Sequence, residues 1–294
     1  MTALRRLASP VLTRGGRFSV FKATTLGLIF IPGVWLLAQY LAGALGARPV
    51  LALVHGFGLW TLRLLLITLA LTPARSLLNA ARLNLVRRML GVATAAYGGL
   101  HLALYAAQQN WHLGHVASEI WRRVYLTIGF GALVLLLALA ATSTDGMMRA
   151  LGRNWKRLHR LAYGIAVLGL VHYFMQAKAE VYEAAIAAGL FVWLMAWRAL
   201  PAAWRGKPVA PVILLPVGML GTAGLEYAWY AAATRVTAGR VWAANFHLTH
   251  WRPAIWTGLW GAAALAVVVL VAAVRGWRRD RVAAPSAQPV ARMR

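Results

Sequence analysis

Residues 123–141 read RVYLTIGFGALVLLLALAA, an apolar run in which only the first residue is charged. An α-helix rises about 1.5 Å per residue, so a run of this length crosses the hydrocarbon core of a bilayer, which is about 30 Å thick. Runs of the same kind recur on both sides of it. We therefore predict eight transmembrane helices, at residues 20–43, 50–71, 89–108, 123–141, 160–177, 181–199, 210–233 and 254–274.

The composition of the whole chain agrees with this pattern. Hydrophobic residues make up 61% of the 294 residues and charged residues only 13%, whereas soluble domains carry about 25% charged residues. The predicted fold class is therefore an all-α integral membrane protein with no soluble domain between its spans. No internal repeat is apparent in the sequence.

The charge distribution predicts how the chain is oriented. The net charge is +25, but the 31 Lys and Arg residues cluster in certain connections, chiefly 72–88, 142–159 and 200–209. Such clusters mark the cytoplasmic side and attract anionic lipid, so they do not indicate nucleic-acid binding. We predict that both termini are cytoplasmic. The arginines in the opposite connections 109–122 and 234–253 weaken this assignment without reversing it.

A Pro-rich, basic connection near residue 201 separates six predicted helices from a C-terminal pair. We expect five segments in order: a cytoplasmic N-terminal segment (1–19), a six-helix transmembrane domain (20–200), a linker (201–209), an additional transmembrane helix pair (210–275) and a disordered basic cytoplasmic tail (276–294). The first apolar run is too long for the core of a cleaved signal peptide, so we interpret it as a retained helix.

Any metal chemistry falls to histidine, because the chain has no cysteine to supply thiolates. His101 and His172 lie well inside apolar runs, where polar side chains are costly and usually functional. Counted from Met89 and Arg160, both lie at a depth of about 18 Å from the cytoplasmic surface. Two level imidazoles can ligate a haem iron from its two faces. The pattern predicts bis-histidine haem b, with two hydrogen-bonded core histidines as the alternative.

Two further histidines remain open as ligands. His159 precedes His172 by thirteen residues and lies at the cytoplasmic mouth of the same run. It either ligates a second haem or a cofactor, or belongs to a solvated basic loop with Arg157 and Arg160. His55 lies near the opposite surface, where it could assist or replace a member of the deep pair or serve only as a hydrogen-bonding group.

Three other polar side chains lie within the predicted spans. Arg63 either extends its guanidinium towards the interface or meets an anionic group of a cofactor. Tyr97 and Tyr105 lie one turn to either side of His101 on the same face of the helix. Core packing is the default interpretation of both tyrosines, and a hydrogen bond to a haem propionate or a quinone is the alternative.

Several motifs carry a resemblance to a known family. Their order and spacing resemble the MsrQ (YedZ) family, which belongs to the ferric-reductase-like transmembrane group. The motifs are Thr72-Pro73-Ala74-Arg75, Arg87-Arg88-Met89-Leu90-Gly91, His101-Leu102-Ala103-Leu104-Tyr105, Tyr125-Leu126-Thr127-Ile128-Gly129, Thr142-Ser143-Thr144 with Met148, Leu151-Gly152 and Trp155, Leu158-His159, and His172-Tyr173.

The resemblance covers residues 20–200 and implies a six-helix haem domain in the bacterial inner membrane. It implies haem b, in one or two copies, and FMN as cofactors. The partner would be a periplasmic molybdopterin-containing methionine-sulfoxide reductase that repairs oxidised proteins, and the electron donor the quinone pool or a cytoplasmic flavin reductase. His101, His159 and His172 match the haem-linked histidines of the family, and His55 matches a further recurrent one. The family pattern usually ends after six helices, whereas this chain continues.

The expected function is that of a redox subunit that carries electrons across the membrane and performs no bond chemistry itself. A transmembrane ferric or metal reductase is one alternative, which would need an NADPH and FAD domain that we do not find. A haem-free transporter or scaffold with intramembrane histidines is another. A transporter would more often carry an intramembrane carboxylate, for which Glu226 is the candidate.

Overall fold

The computed structural model describes residues 11–12, 16–247, 249 and 251–283, the last eight of these by their backbone alone. This part of the chain is helical, with one isolated β-bridge near its start. The helices are α1 (Val20–Leu41), α2 (Pro49–Leu77), α3 (Asn84–Gln108), α4 (Leu113–Arg122), α5 (Val124–Ala141), α6 (Asp145–Leu151), α7 (Arg153–Leu158), α8 (Leu161–Ala177), α9 (Tyr182–Ala199), α10 (Val209–Ala233), α11 (Ala238–Ala244) and α12 (Pro253–Ala283).

The prediction of an all-α integral membrane protein is confirmed. Seven candidate spans in the described residues are long and apolar enough to cross a membrane, with α3 counted together with a preceding 3-10 turn and α7 together with α8. The eighth predicted span, α9, has 18 residues, about 27 Å at helical rise. It is not among the seven candidates, so its crossing stays a prediction; its first turn lies beside the end of α10 and its last turn leads to the start of α10.

Three helices extend beyond the runs predicted from hydropathy. The helix α2 continues to Leu77 and α3 begins at Asn84, so arginines of the basic connection lie on helical turns outside the apolar core. The helix α12 continues to Ala283, although the sequence places the start of a disordered tail at residue 276. Arginine is a good helix former and the next proline is Pro285, so nothing in the sequence stops the helix earlier. Residues 284–294 lie outside the described part.

Local signals explain several helix ends. Ser19 caps α1 by accepting a hydrogen bond from the backbone N–H of Lys22, and Pro49 occupies the first turn of α2. The Tyr97 hydroxyl, from α3, donates to Ile29 O of α1 at 2.7 Å and accepts from Gly33 N of α1 at 3.0 Å. It thus connects a carbonyl and an N–H that are four residues apart, next to Pro32 within α1. Tyr97 therefore joins α3 to α1, which supports its interpretation as a packing residue.

Four helices form the centre of the molecule. The pairs α2–α3 and α5–α8 each pack along their length, and contacts of α3 with α5 and of α2 with α8 close the four into a bundle. Leu62, Leu136 and Leu170 belong to the core of this bundle. The outward faces remain apolar, with side chains such as Phe30 and Leu137 exposed. An apolar exterior is expected where lipid replaces water.

The C-terminal helices are packed against the rest of the bundle. Both α10 and α12 contact α9, and the Thr222 hydroxyl donates to that of Thr257 at 2.8 Å in their interface. The segment 201–209, expected as a linker, turns the chain from α9 to α10 and leaves the two helices in contact. The helix pair expected over residues 210–275 therefore packs on α9 and extends the bundle from there.

The connections lie at two ends of the bundle. The basic end carries the connections that follow α2, α5 and α9, and Arg275 near the end of α12 donates to Leu78 O there. The opposite end, which we call the histidine end, carries the connections that follow α1, α3, α8 and α10. At the histidine end Trp229 Nε1 donates to Lys178 O at 2.7 Å, and the Tyr182 hydroxyl donates to Trp251 O.

Candidate metal centre

His101 and His172 meet inside the four-helix bundle. His101 lies on α3, seven residues before its end, and His172 lies on α8, five residues before its end. Their ring centroids are 6.4 Å apart. The contact agrees with the level positions expected from the sequence, but His101 lies farther from the start of its helix than a count from Met89 indicates, because α3 begins at Asn84.

The separation of the two rings fits one shared metal ion. A bond from a metal to an imidazole nitrogen is about 2 Å long, so two imidazoles on opposite sides of one metal place their centroids about 6 Å apart. The observed 6.4 Å matches this distance, and the ring planes are inclined at 79° to each other. No side chain can lie between the rings at that separation.

Hydrogen bonds leave the other nitrogen of each ring free to bind a metal. His101 Nδ1 lies 2.7 Å from Val54 O, and His172 Nδ1 lies 2.7 Å from Tyr125 O. A carbonyl only accepts, so each Nδ1 carries the proton and each Nε2 keeps its lone pair. Metal-binding histidines commonly donate their second N–H to a carbonyl, which fixes the tautomer and the ring orientation.

The two halves of the bundle use the same arrangement. In each half the histidine donates to a carbonyl near the start of the preceding long helix, and in each half the two partners are 47 residues apart in sequence. The pairs α2–α3 and α5–α8 therefore present their imidazoles in equivalent ways. The Tyr125 ring also stacks on His172, with centroids 6.0 Å apart and planes inclined at 25°.

His55 lies at the histidine end, beside the deep pair and outside it. Its Nε2 accepts from the side-chain amide of Gln176 at 3.1 Å, one turn after His172 on α8. His55 is exposed, whereas His101 and His172 are partly buried. The structure thus gives His55 a hydrogen-bonding partner and brings His101 and His172 together as the ring pair.

Arg63 meets a carboxylate of the chain. Its Nη2 lies 2.9 Å from Glu183 Oε2, and its guanidinium lies 5.1 Å from the centroid of the Trp60 ring. Both charged side chains are about half exposed at the surface of the bundle. Within the described residues the anionic partner of Arg63 is the chain's own Glu183, and a contact of Arg63 with a cofactor stays a prediction.

Tyr105 lies near the outer edge of the centre. Glu119, Arg123 and Tyr125 are its charged and polar neighbours. Arg123 Nη2 lies 2.6 Å from Glu119 Oε2. The pKa of the Arg123 guanidinium is raised, mainly by its hydrogen bond to Tyr125 and to a smaller extent by the negative charge of Glu119. The amphipathic helix α4 is thereby linked through Arg123 to Tyr125, the residue that orients His172.

His159 lies at the basic end, away from the deep pair. Its Nδ1 is 3.1 Å from Trp155 O, its Nε2 is 3.2 Å from Ser143 Oγ, and its ring stacks on Trp155 with centroids 3.9 Å apart. Both nitrogens therefore have partners within the chain. The structure places no second histidine beside it among the residues described, and its role as a ligand stays a prediction.

Curated relatives with known names match a large part of the chain. A protein of Xanthomonas campestris pv. campestris (strain B100) is 46% identical over 165 residues, which cover 56% of this chain and 76% of that protein. A protein of Rhodospirillum rubrum is 43% identical over 196 residues, which cover 66% of this chain and 92% of that protein. Both are named protein-methionine-sulfoxide reductase heme-binding subunit MsrQ. The chain belongs to the MsrQ family.

The family assignment covers the helices that build the centre. The model of the ferric reductase like transmembrane component matches residues 57–170, which include His101 and His159 and end just before His172. This member of the MsrQ family is longer than the Rhodospirillum rubrum relative, since nearly all of that protein matches only two thirds of this chain. No solved structure matches the chain.

Sequence reasoning on this MsrQ family member missed the partners of the histidines. The acceptors of their Nδ1 protons are backbone carbonyls of Val54 and Tyr125, which leave no mark in the residue types. Gln176 and Glu183 were missed as partners of His55 and Arg63 because they lie more than a hundred residues away in sequence.

Proposed function

We propose that the protein is a haem b electron carrier that passes electrons across the bacterial inner membrane to a periplasmic molybdopterin-containing methionine-sulfoxide reductase. The observation that carries this proposal is the pair of imidazoles with centroids 6.4 Å apart, each with Nδ1 bonded to a carbonyl. The relatives named as heme-binding subunits of that reductase system support it.

The residues at the centre fit a haem, which His101 and His172 would hold. His101 and His172 approach each other from two helices with Nδ1 bonded to a carbonyl, which leaves the lone pair of each Nε2 for a metal, and neutral imidazole is an ordinary haem ligand. When bound, haem supplies reversible one-electron transfer at its iron. The work of the chain is to hold the two imidazoles in one tautomer and orientation, to exclude water with the apolar bundle, and thereby to set the potential.

The charge of the loops supports a direction for the electrons. The basic end carries most of the arginines of the connections and is the cytoplasmic end under the positive-inside rule. The deep histidines then lie near the periplasmic surface, close to a periplasmic acceptor. Electrons would arrive from the quinone pool or from a cytoplasmic flavin reductase. FMN or a second haem at His159, near the basic side chains Lys156 and Arg157, would serve the cytoplasmic half.

The transporter alternative has less support in the structure. Glu226, the candidate intramembrane carboxylate, is 1% exposed and accepts hydrogen bonds from Asn245 Nδ2 and Arg252 Nη2. A carboxylate that carries protons or ions along a path would need access to water on at least one side. This group instead ties α10 to the segments that follow it.

An optical experiment tests the cofactor and its ligands. The detergent-purified protein, expressed with ample haem supply, should give a b-type reduced-minus-oxidised spectrum. His101→Ala and His172→Ala should each abolish or strongly diminish it, since each removes one axial ligand. His112→Ala is the matched control, because His112 is exposed in the connection between α3 and α4 and its ring bonds only to Gln109 O in the described structure.

Two further readouts separate the parts of the proposal. A wild-type protein without a Soret band would exclude a haem carrier, and retention of the band in both deep variants would exclude the ligand pair. Reduced protein mixed with the reductase subunit and methionine sulfoxide should be reoxidised faster than with either alone. Reoxidation by ferric chelates and not by the reductase would favour a metal reductase.

A further inference from the structure

Both imidazoles of the deep pair rest on a glycine of the neighbouring helix. A Cβ atom built on Gly58 of α2 would lie 2.9 Å from His101 Nδ1 and 2.9 Å from His101 Cε1. A Cβ atom on Gly129 of α5 would lie 2.6 Å from His172 Nδ1 and 2.7 Å from His172 Cε1. Real Cβ atoms essentially never approach other heavy atoms closer than 3.0 Å. A side chain at either position would therefore displace the ring.

Helix geometry explains why the glycines stand at these positions. Gly58 follows Val54 by four residues, and Gly129 follows Tyr125 by four. In an α-helix the carbonyl of residue i points towards the N–H of residue i+4. A side chain from another helix reaches that carbonyl only across the position of residue i+4, where a Cβ would stand in its way. With glycine, the carbonyl accepts from the imidazole with its second lone pair.

The same device occurs in both halves of the bundle. The histidine follows its glycine by 43 residues in each half, and follows the acceptor carbonyl by 47. Other glycines of the same helices have open space or contact aliphatic side chains. The coincidence of glycine, carbonyl and histidine is thus specific to the two positions that face an imidazole.

We propose that Gly58 and Gly129 are positioning residues for the two axial ligands. This inference rests on the proposed haem function and deepens it. By leaving room for the imidazole edge, each glycine lets Nδ1 reach the helix carbonyl and fixes the plane of the ring. The two glycines together fix the angle between the ring planes, which is 79° in the structure.

The ring angle and the carbonyl bonds have measurable consequences for a bound haem. In electron paramagnetic resonance, low-spin ferric haem with nearly perpendicular imidazole planes shows an unusually large maximum g value. Parallel imidazole planes give a rhombic signal with a smaller maximum g value. A hydrogen bond from Nδ1 to a carbonyl makes the ligand more basic and stabilises ferric iron. Loss of this bond should therefore raise the midpoint potential.

The experiment compares four single alanine variants of the full chain. Gly58→Ala and Gly129→Ala place a methyl group against the imidazoles. Gly131→Ala is the unstrained control, because nothing lies within 4 Å of a Cβ there. Gly56→Ala is the strained control, because its Cβ would lie 2.8 Å from Leu36 Cδ2 and faces away from the histidines. Each variant is measured for melting temperature, haem content, electron paramagnetic resonance and midpoint potential.

The expected result separates positioning from packing. Gly58→Ala and Gly129→Ala should raise the midpoint potential and shift the highest g value, or lose haem while the protein still elutes as a folded species. The larger change is expected for Gly129→Ala, since its clash is closer. Gly131→Ala should match the wild type, and Gly56→Ala should lower the melting temperature without changing the resonance or the potential.

Three outcomes would overturn the inference. The first is wild-type resonance and potential in both Gly58→Ala and Gly129→Ala. The second is an equal spectral change in Gly56→Ala. The third is loss of the fold in both test variants while Gly56→Ala folds, which would assign the glycines to helix packing alone. A wild-type protein that binds no haem would instead refute the proposed function, before any variant is compared.

Discussion

A charged side chain within a membrane-spanning helix is costly unless it finds a partner, and Arg63 finds Glu183. Arg63 stands near the middle of α2 and Glu183 in the first turn of α9, so the pair joins the central bundle to α9. Both side chains are about half exposed, so the pair is a surface bridge and its contribution to stability is small, about 1 kcal/mol or less.

Neutralising this pair gives a prediction at the residue scale. Arg63→Met and Glu183→Gln should each lower the melting temperature of the purified protein slightly, and the double variant should lower it by less than their sum, because the second change removes a charge already unpaired. The haem potential should be unchanged in Glu183→Gln. A potential that shifts in Arg63→Met alone would show that Arg63 acts on a cofactor group, which is the other interpretation of its position.

The C-terminal elements are held together by a buried polar group. Glu226 on α10 accepts from Asn245 Nδ2 at 2.6 Å and from Arg252 Nη2, and Asn245 Oδ1 in turn accepts from Ala254 N at 3.0 Å. One carboxylate thus holds the end of α11 and the start of α12 against α10. The family pattern expected from the sequence ends before this extension, so its stability can be tested apart from the haem centre.

Removal of Glu226 should destabilise the extension strongly. Glu226→Ala leaves the guanidinium of Arg252 without its buried partner, and breaking such a pair costs about 3 kcal/mol or more. Thermal unfolding followed by circular dichroism should show a lower midpoint, with the b-type spectrum retained at low temperature. Glu180→Ala is the control, because Glu180 is exposed, and should unfold like the wild type. Equal midpoints for the two variants would contradict the assigned role of Glu226.

The eight crossings predicted from the sequence would place both ends of the chain on one side of the membrane. The positive-inside rule assigns this side to the cytoplasm, since the basic end carries the connections richest in arginine. The absence of cysteine makes the assignment easy to test, because a single introduced cysteine is the only thiol in the chain.

Labelling with a membrane-impermeant maleimide checks the orientation of the whole molecule. Ala117→Cys on α4, at the histidine end, should react in intact spheroplasts. Ala203→Cys, at the basic end, should react only after the membrane is broken; both positions are exposed in the structure. The reverse pattern would invert the topology and place the deep histidines near the cytoplasm, which would exclude direct transfer to a periplasmic acceptor.

The sequence by itself determined the fold class, because apolar runs of bilayer length can only be helices in lipid. It also located seven candidate spans to within a few residues at most ends, and it singled out His101 and His172 by the cost of burying imidazoles. The end of α12 was missed, since hydropathy marks where the membrane ends and not where the helix ends. The ends of α2 and α3 were misplaced for the same reason.

Only the tertiary structure decided which groups meet. The spacing of residues along one helix fixes depth, but it does not fix which face of a helix meets its neighbours, so the 6.4 Å ring pair, the carbonyl acceptors and the Arg63–Glu183 bridge could not be derived from it. The equivalence of the two halves lies in backbone carbonyls and in two glycines that are unremarkable in composition. Such contacts depend on helix packing, and packing is set by the whole bundle.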